Sequence, residues 1–395
     1  MAATLYGYTF LDDLVLLYPV YVLLFADTGL SVAEISSLFV IWSVTGLVLE
    51  VPSGVWADAV SRRMLLCIGP LLSAIGFALW TLTPSYWAFA VGFVLWGAHG
   101  ALQSGATEAL IYAELDRCDA APRYATIMGR AEAVGVCAVM AATAVAGPVF
   151  SAGGYLAVGA ASVLARLLCA AVATRFPEHR PADPPEGTDE SDETDGATGS
   201  GYADILRSGL REVRSRPSVL RALLLVPAVA AVWGALEEYD PLLAESTGVA
   251  AGTVPLLVLL IAVGVAVGGL LVPIGQRLTG PGLGRTLAVG ALALAIGAIS
   301  GRPAGFVLLA AAFCVFNMAG VVADARLQER ITGPSRATVT SLAGLATDLA
   351  TIAIYGAYAA AATFAGHGTI FALFAVPYLV VAAVLMYGGR RKPTT

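Results

Sequence analysis

The amino-acid sequence predicts an all-α membrane protein whose twelve spanning helices form two parallel six-helix repeats. Three observations carry that reading: composition, the recurrence of apolar runs of membrane length, and the placement of the cations. Hydrophobic residues make up 58% of the 395 residues and charged residues 13%, with a mean hydropathy of +0.80. A soluble domain carries roughly 25% charged residues, so a water-soluble surface cannot be assembled from this chain. The net charge of -6 describes one acid-rich stretch, residues 186–195, and points to no nucleic-acid partner.

A spanning helix needs roughly 20 apolar residues, and runs of about that size recur between short polar breaks. In the first half they fall at 5–25, 35–55, 64–82, 87–108, 125–149 and 155–174. In the second half they fall at 219–236, 254–272, 286–300, 305–322, 338–363 and 370–387. The first run lacks a basic leader and carries Asp12 and Asp13, so it is expected to stay as the first span and not to be cleaved.

Lys and Arg are retained on the cytoplasmic side of spanning helices. Here Arg62 and Arg63, Arg117 and Arg123, the cations of 175–221, Arg277 and Arg285, those of 326–336, and those of 390–392 occupy alternate connections, while the opposite connections hold only Arg302. Both termini are therefore expected in the cytoplasm, and the localisation expected is a bacterial cell (inner) membrane.

The division expected is a first bundle over 1–176, a cytoplasmic linker over 177–218, a second bundle over 219–388 and a tail over 389–395. The stretch 177–201 is rich in Pro, Gly, Asp, Glu and Thr, too poor in apolar surface to order itself. Beyond it Leu206, Leu210 and Val213 alternate with Arg207, Arg211 and Arg214, as in a helix lying on an anionic leaflet or a cytosolic extension of the seventh span. The halves echo one another. Pro52-Ser-Gly54 is followed by Gly69 at the distance at which Pro273-Ile-Gly275 is followed by Gly290, and Tyr124-Ala-Thr-Ile matches Arg336-Ala-Thr-Val. Six spans per repeat make the repeats parallel, related by an axis along the membrane normal. The cysteines at 67, 118, 137, 169 and 314 show no disulfide or metal-ligand spacing and read as small apolar filler.

The connection after the second span reads Gly54-Val-Trp-Ala-Asp58-Ala-Val-Ser-Arg62-Arg63. It resembles the signature loop of the major facilitator superfamily, G-x-x-x-D-x-x-G-R-[RK], in its usual place between the second and third helices, with Ser61 where the second glycine usually stands. Gly54 allows close helix approach, and Asp58 suits the positive end of a helix. The resemblance implies that Asp58 latches the two halves on the cytoplasmic side, with Arg336 at the start of the eleventh span as partner. Arg62 and Arg63 would pair with Glu108, Glu114 or Asp116, or with lipid phosphate. The matching loop of the second half, from Gly275, lacks an aspartate, so the latch is expected to be one-sided. An exporter pattern of the fifth helix, G-x-x-x-G-P-x-x-G-G, is met only in Gly147-Pro148, since Thr143 replaces its first glycine and Gly153-Gly154 comes late.

Charged side chains at membrane depth are costly and normally face the bundle interior, which makes the candidates few. Asp12 and Asp13 in the first span, Arg130 and Glu132 in the fifth and Asp348 in the eleventh are candidates for proton coupling or for the substrate cavity. His99 and Gln103, one turn apart in the fourth span, Tyr21 on the Asp13 face of the first and Asn317 in the tenth join them. Arg166 needs an acid such as Glu132, or must snorkel. Glu237 and Glu238, with Asp240 close by, are read as an outer gate or as a solvated helix end, and Trp42, Trp96 and Trp233 as aromatic surface for a substrate or as packing.

The resemblance extends to drug and metabolite exporters through Glu50-Val-Pro-Ser-Gly and Ser104-Gly-Ala-Thr-Glu108-Ala. It implies a secondary active transporter that moves a small organic molecule by alternating access, as proton-coupled efflux. It would work as a monomer among membrane lipids, with no cofactor beyond an ion gradient. Uptake by symport or uniport and a non-transporting receptor or scaffold are the alternatives. No P-loop, H-E-x-x-H or G-x-S-x-G occurs, so an ATP-driven pump or a hydrolase has no residue basis, and no enzyme is expected.

Overall fold

The computed structural model describes residues 1–177, 216–331 and 336–388, and within them leaves undescribed the side chains of 51, 54–59, 105, 336–337 and 388. The acidic linker stretch and the Leu206, Leu210, Val213 stripe fall outside the described residues, as does the tail over 389–395. The described residues are helical with short connections and contain no strand.

The first half holds α1 (Ala2–Asp13), α2 (Tyr21–Asp27), α3 (Val32–Ala59), α4 (Arg62–Leu82), α5 (Tyr86–Arg117) and α6 (Tyr124–Ala173). The second holds α7 (Pro217–Glu237), α8 (Asp240–Glu245), α9 (Val254–Leu270), α10 (Val272–Gln276), α11 (Gly280–Ile299), α12 (Gly305–Arg330), α13 (Arg336–Ala361), α14 (His367–Leu373) and α15 (Ala375–Gly388). Among the described residues nine stretches are long and apolar enough to cross a membrane. One of them doubles back: α6 breaks at Gly153 and at Gly154, whose φ of 61° is left-handed and suits glycine, so that it supplies the fifth and sixth spans. The first span is interrupted between α1 and α2, and α5 is diluted by Trp96, His99 and Gln103. With these the chain crosses twelve times.

One span expected to be continuous is broken. The first unwinds over 14–20, around Pro19, whose ring cannot donate to a helix ladder. In lipid a freed backbone group must find a partner, and the Leu17 amide donates to Ser162 Oγ at 3.1 Å. In the second half α7 ends at Glu237, within a residue of the expected end of the seventh span, and α8 follows with Pro241 in its first turn. Pro19 and Pro241 sit at the same offset between the halves, within one residue, as Pro52 and Pro273. Interrupted helices at corresponding positions of two repeats mark where transporters place their sites.

Within the first half α4 and α5, α1 and α6, α4 and α6, and α3 and α5 pack together; within the second α9 and α12, α11 and α15, α11 and α12, and α7 with α12 and α13 do so. The halves meet through α3 against α13 and α6 against α9. The face where α1 starts, α7 starts and α15 ends is the near face, and the other is the far face. Described arginines in the connections lie on the near face, apart from Arg302 on the far one. Exposed Leu82, Trp87, Leu270, Ile299 and Val384 give the outer surface the apolar character a lipid solvent demands. The far-face entry to α3 is fixed by a capping box. The Ser31 amide and hydroxyl donate to the Glu34 carboxylate at 2.8 and 2.7 Å.

Candidate functional site: a polar knot and a closed far face

Asp12 is the penultimate residue of α1, just before the break in the first span, and is 6% exposed. Its ionised form needs partners, and four side chains converge on it. Arg166 of α6, 1% exposed, forms an ion pair with Oδ1; His99 Nε2 lies 3.3 Å from the same oxygen; Gln103 Nε2 donates to Oδ2 at 2.8 Å; and the Cys169 thiol lies 3.7 Å from Oδ1. The second ring nitrogen of His99 is 3.2 Å from Ser73 Oγ, and Gly69 leaves the room this imidazole fills. Arg166 also donates to the Tyr18 hydroxyl at 3.2 Å, with its guanidinium carbon 5.7 Å from the centre of the Phe77 ring. Asp12, His99, Gln103 and Arg166 therefore form one buried knot. Glu132, the acid expected for Arg166, is exposed, and Asp12 takes that place on α1, which packs against α6.

Asp13 points another way. It is half-buried against Thr9 and Gly135, where a glycine Cβ would collide with its carboxylate, and it makes no ion pair among the described residues. Above the knot Tyr18 stacks on Trp96 with ring centres 5.3 Å apart, and Trp96 stacks on Trp42 at 5.0 Å. All three rings are half-buried. They form an aromatic wall on the first half; Trp233 of the second half is also half-buried.

The halves close on each other at the far face, and the contacts there form a roof. The Tyr21 hydroxyl donates to the Glu238 carboxylate across the two halves. Ser36 Oγ and the Tyr239 hydroxyl are 2.7 Å apart, and the Phe39 ring packs edge-on against Tyr239 at 5.3 Å and beside Tyr355 at 5.3 Å. Beside this seam a Cβ on Gly147 of α6 would meet the carbonyl oxygen of Gly252 at 2.7 Å, so glycine is what allows the two backbones to touch. Glu237 is exposed, Glu238 half-buried and Asp240 0% exposed, with both Asp240 carboxylate oxygens unpartnered.

The remaining candidates are more dispersed. Arg130 lines a cavity of about 570 Å³ at the near face with Ala2, Tyr6, Arg123, Thr126 and Ile127. Asp348 is exposed on α13 and close enough to Glu50 of α3 to feel its charge. The Asn317 amide donates to the Val265 carbonyl at 2.8 Å, clamping α12 to α9. Arg62 donates to the Ala109 carbonyl at 3.2 Å, and Glu114 pairs with Arg117 at 3.0 Å. The side chains of Gly54, Asp58 and Arg336, the expected near-face latch, lie outside the described ones. The sequence reading missed the break in the first span, the partner of Arg166, and the roles of Tyr18, Ser36 and Tyr355. Pro19 was the signal available for the break.

Two bundles of six spans that meet through α3 against α13 and α6 against α9, with a small polar seam at the far face, have the architecture of a membrane carrier. A model described as the Major Facilitator Superfamily matches residues 6–354, and the chain belongs to that superfamily: it is a multi-pass membrane transporter and not an enzyme. Its fold is similar to that of the D323A mutant of the nucleoside transporter NupG, with a TM-score of 0.75 and 12% identity over 98% of each chain. A bacterial homolog of the human lysosomal transporter Spinster, inward-facing and unoccupied, gives 0.68 and 18% over 100% of this chain and 98% of that one. A D-xylose-proton symporter gives 0.66 and 16% over 98% and 96%. A search of curated protein sequences returned no match. At these identities the likeness is one of fold.

Proposed function

We propose that the chain is a secondary active transporter that exports a small organic molecule in exchange for protons. It works as a monomer in a bacterial cell membrane, with the near face and both termini in the cytoplasm and with no cofactor beyond the ion gradient. The observation that carries this reading is the seam formed by Tyr21 with Glu238 and by Ser36 with Tyr239, polar contacts few enough to part and re-form as the halves rock. The arginines on the near face support the orientation. Among the acids of the first span, Asp12 is held by Arg166, which leaves Asp13, half-buried and without an ion pair, as the carboxylate free to load and release a proton. The fifth-helix Gly147-Pro148 and the Glu50-Val-Pro52 stretch favour export over uptake.

Alternating access is tested without any ligand. Ser36 is buried in the seam. In a variant whose native cysteines are replaced, Ser36→Cys should react with a membrane-impermeant thiol reagent from the far face as the seam opens; complete protection over hours would overturn the reading. Proton coupling is tested in liposomes that report pH, where Asp13→Asn should abolish substrate-driven proton movement while Asp348→Asn leaves part of it. Unchanged coupling in Asp13→Asn would remove that residue from the role, and the sign of the pH change gives the direction of exchange.

A further inference from the structure

The near face carries a cavity that neither the polar knot nor the far-face seam uses. It measures about 570 Å³, lies between the first turns of α1 and α6, and is lined by Ala2, Tyr6, Arg123, Thr126, Ile127 and Arg130. Sites for small ligands occupy about 300–1,000 Å³. Arg123, Thr126, Ile127 and Arg130 follow one another at i, i+3, i+4 and i+7, so they share one face at the start of α6, and Ala2 and Tyr6 share one face of α1. Tyr6, Arg123, Thr126 and Arg130 end in hydrogen-bond donors that the protein leaves unused. The side chains of Arg123 and Arg130 make no ion pair and no hydrogen bond among the described residues, whereas Arg62, Arg117, Arg326 and Arg330 on the same face of the molecule each donate to a protein oxygen. Thr107, Thr143, Thr286 and Thr347 turn their hydroxyls back to the carbonyl four residues before; the Thr126 hydroxyl, like that of Tyr6, has no partner among the described residues. No acid lines the cavity. Glu108, whose charge reaches Tyr124, stands on α5, and Glu132 follows Arg130 by two residues, which turns it away by about 200°. Two guanidinium groups in one cavity without a carboxylate repel each other, and the positive end of α6 adds to their field, so the cavity calls for an anion. Guanidinium forks suit the oxygens of a phosphate, and the two arginines are about 10 Å apart along the helix axis, a spacing that two long side chains bridge by gripping a group between them. The cavity lies where α1 and α6 enter the membrane, at the level of lipid headgroups, and Ala2, Ile127 and the Tyr6 ring give it an apolar side. Basic pockets between spanning helices at this level take phospholipid headgroups.

We propose that this cavity seats the phosphate of an anionic phospholipid from the near leaflet, gripped by Arg123 and Arg130, with the Thr126 and Tyr6 hydroxyls as further donors. The lipid is a bound ligand and not the transported molecule, so the inference is independent of the substrate and of the direction of transport. It gives Arg130 a role at the membrane boundary in place of the substrate cavity. The test is native mass spectrometry of the full chain in a neutral detergent, which counts the lipids retained. The probes are phosphatidylglycerol, a diacylglycerol with the same acyl chains but no phosphate, and inorganic phosphate, which has no chains. The expected result is one phosphatidylglycerol bound saturably ahead of any others, no retention of the diacylglycerol, and no displacement by inorganic phosphate at equal concentration. Arg123→Gln and Arg130→Gln should each weaken that first binding about fivefold, the effect of one arginine beside an anionic surface, and the double variant should weaken it by about the product of the two. Arg130→Lys, which keeps the charge and loses the fork, should fall between Arg130→Gln and the parent. Arg277→Gln removes an exposed cation from the same face outside the cavity and should change nothing. Both cavity arginines are exposed, so their variants should stay monodisperse. Equal retention of the diacylglycerol, or unchanged affinity in the double variant, would overturn the proposal. So would displacement by inorganic phosphate at equal concentration, which would assign the cavity to a soluble anion, and so would an equal loss in Arg277→Gln, which would reduce the effect to surface charge.

Discussion

Asp12 keeps its charge at mid-membrane because Arg166, Gln103 and His99 surround it, and the pair is worth more for what its loss exposes than for what its presence adds. A buried ion pair gains little over well-packed apolar residues, but removing one partner strands the other charge, at about 3–5 kcal/mol. Asp12→Asn and Arg166→Gln should each lower the detergent melting temperature sharply. The double Asp12→Asn, Arg166→Gln variant should be more stable than either single one, because it leaves no unpaired charge. Equal or additive losses in a double-mutant cycle would show that the two residues act independently. The same contrast marks the limit of what a sequence conveys at this scale. Asp12, His99 and Gln103 are conspicuous as polar residues in apolar runs, but which residue answers Arg166 depends on how α1 and α6 are rotated, and a one-residue shift in a helix turns a side chain by about 100°. Glu132 is the acid the sequence offers as an example for Arg166; it is exposed on α6, and Asp12 makes the pair.

The elements show where helix chemistry, and not the positions of the spans, sets function. The recurrence of apolar runs and the alternation of arginines place twelve crossings close to where they occur, since both patterns are dictated by lipid thickness and by charge retention. The break at 14–20 is less visible, because a proline within an apolar run is compatible with a tolerated kink and only the tertiary partner decides. For the first span that partner is Ser162, which accepts from the Leu17 amide. Ser162→Ala should leave this buried donor unsatisfied at about 1–3 kcal/mol, seen as a lower melting temperature and faster hydrogen exchange confined to 14–20. Ser162→Thr, which keeps the hydroxyl, should restore protection there. Exchange unchanged in Ser162→Ala would mean that the broken segment holds itself together by other contacts. Gly147 makes the corresponding point for the seam: its backbone touches that of Gly252, so Gly147→Leu should wedge the far face open and raise the labelling rate of Ser36→Cys without unfolding either bundle.

At the scale of the whole molecule, the two bundles are joined at the far face by few contacts, and transport requires that these separate. Ser151 of α6 and Gly252 ahead of α9 lie on opposite sides of that joint. The Cβ of Ser151 is 3.8 Å from where a Cβ on Gly252 would stand, inside the range of about 3.5–4.5 Å that a disulfide spans. In a chain whose native cysteines are replaced, Ser151→Cys with Gly252→Cys should therefore oxidise to an intramolecular bond. With a protease site placed in 178–215, the cleaved halves should migrate together without reductant and apart with it. Because the bond can exist only while the roof is shut, the oxidised protein should hold one state: transport should fall to the level of empty liposomes and return on reduction, while neither single variant loses it. A cross-linked protein that transports at the parental rate would show that the bundles move about some other joint, and that the contacts of Tyr21 with Glu238 and of Ser36 with Tyr239 are packing instead of a gate.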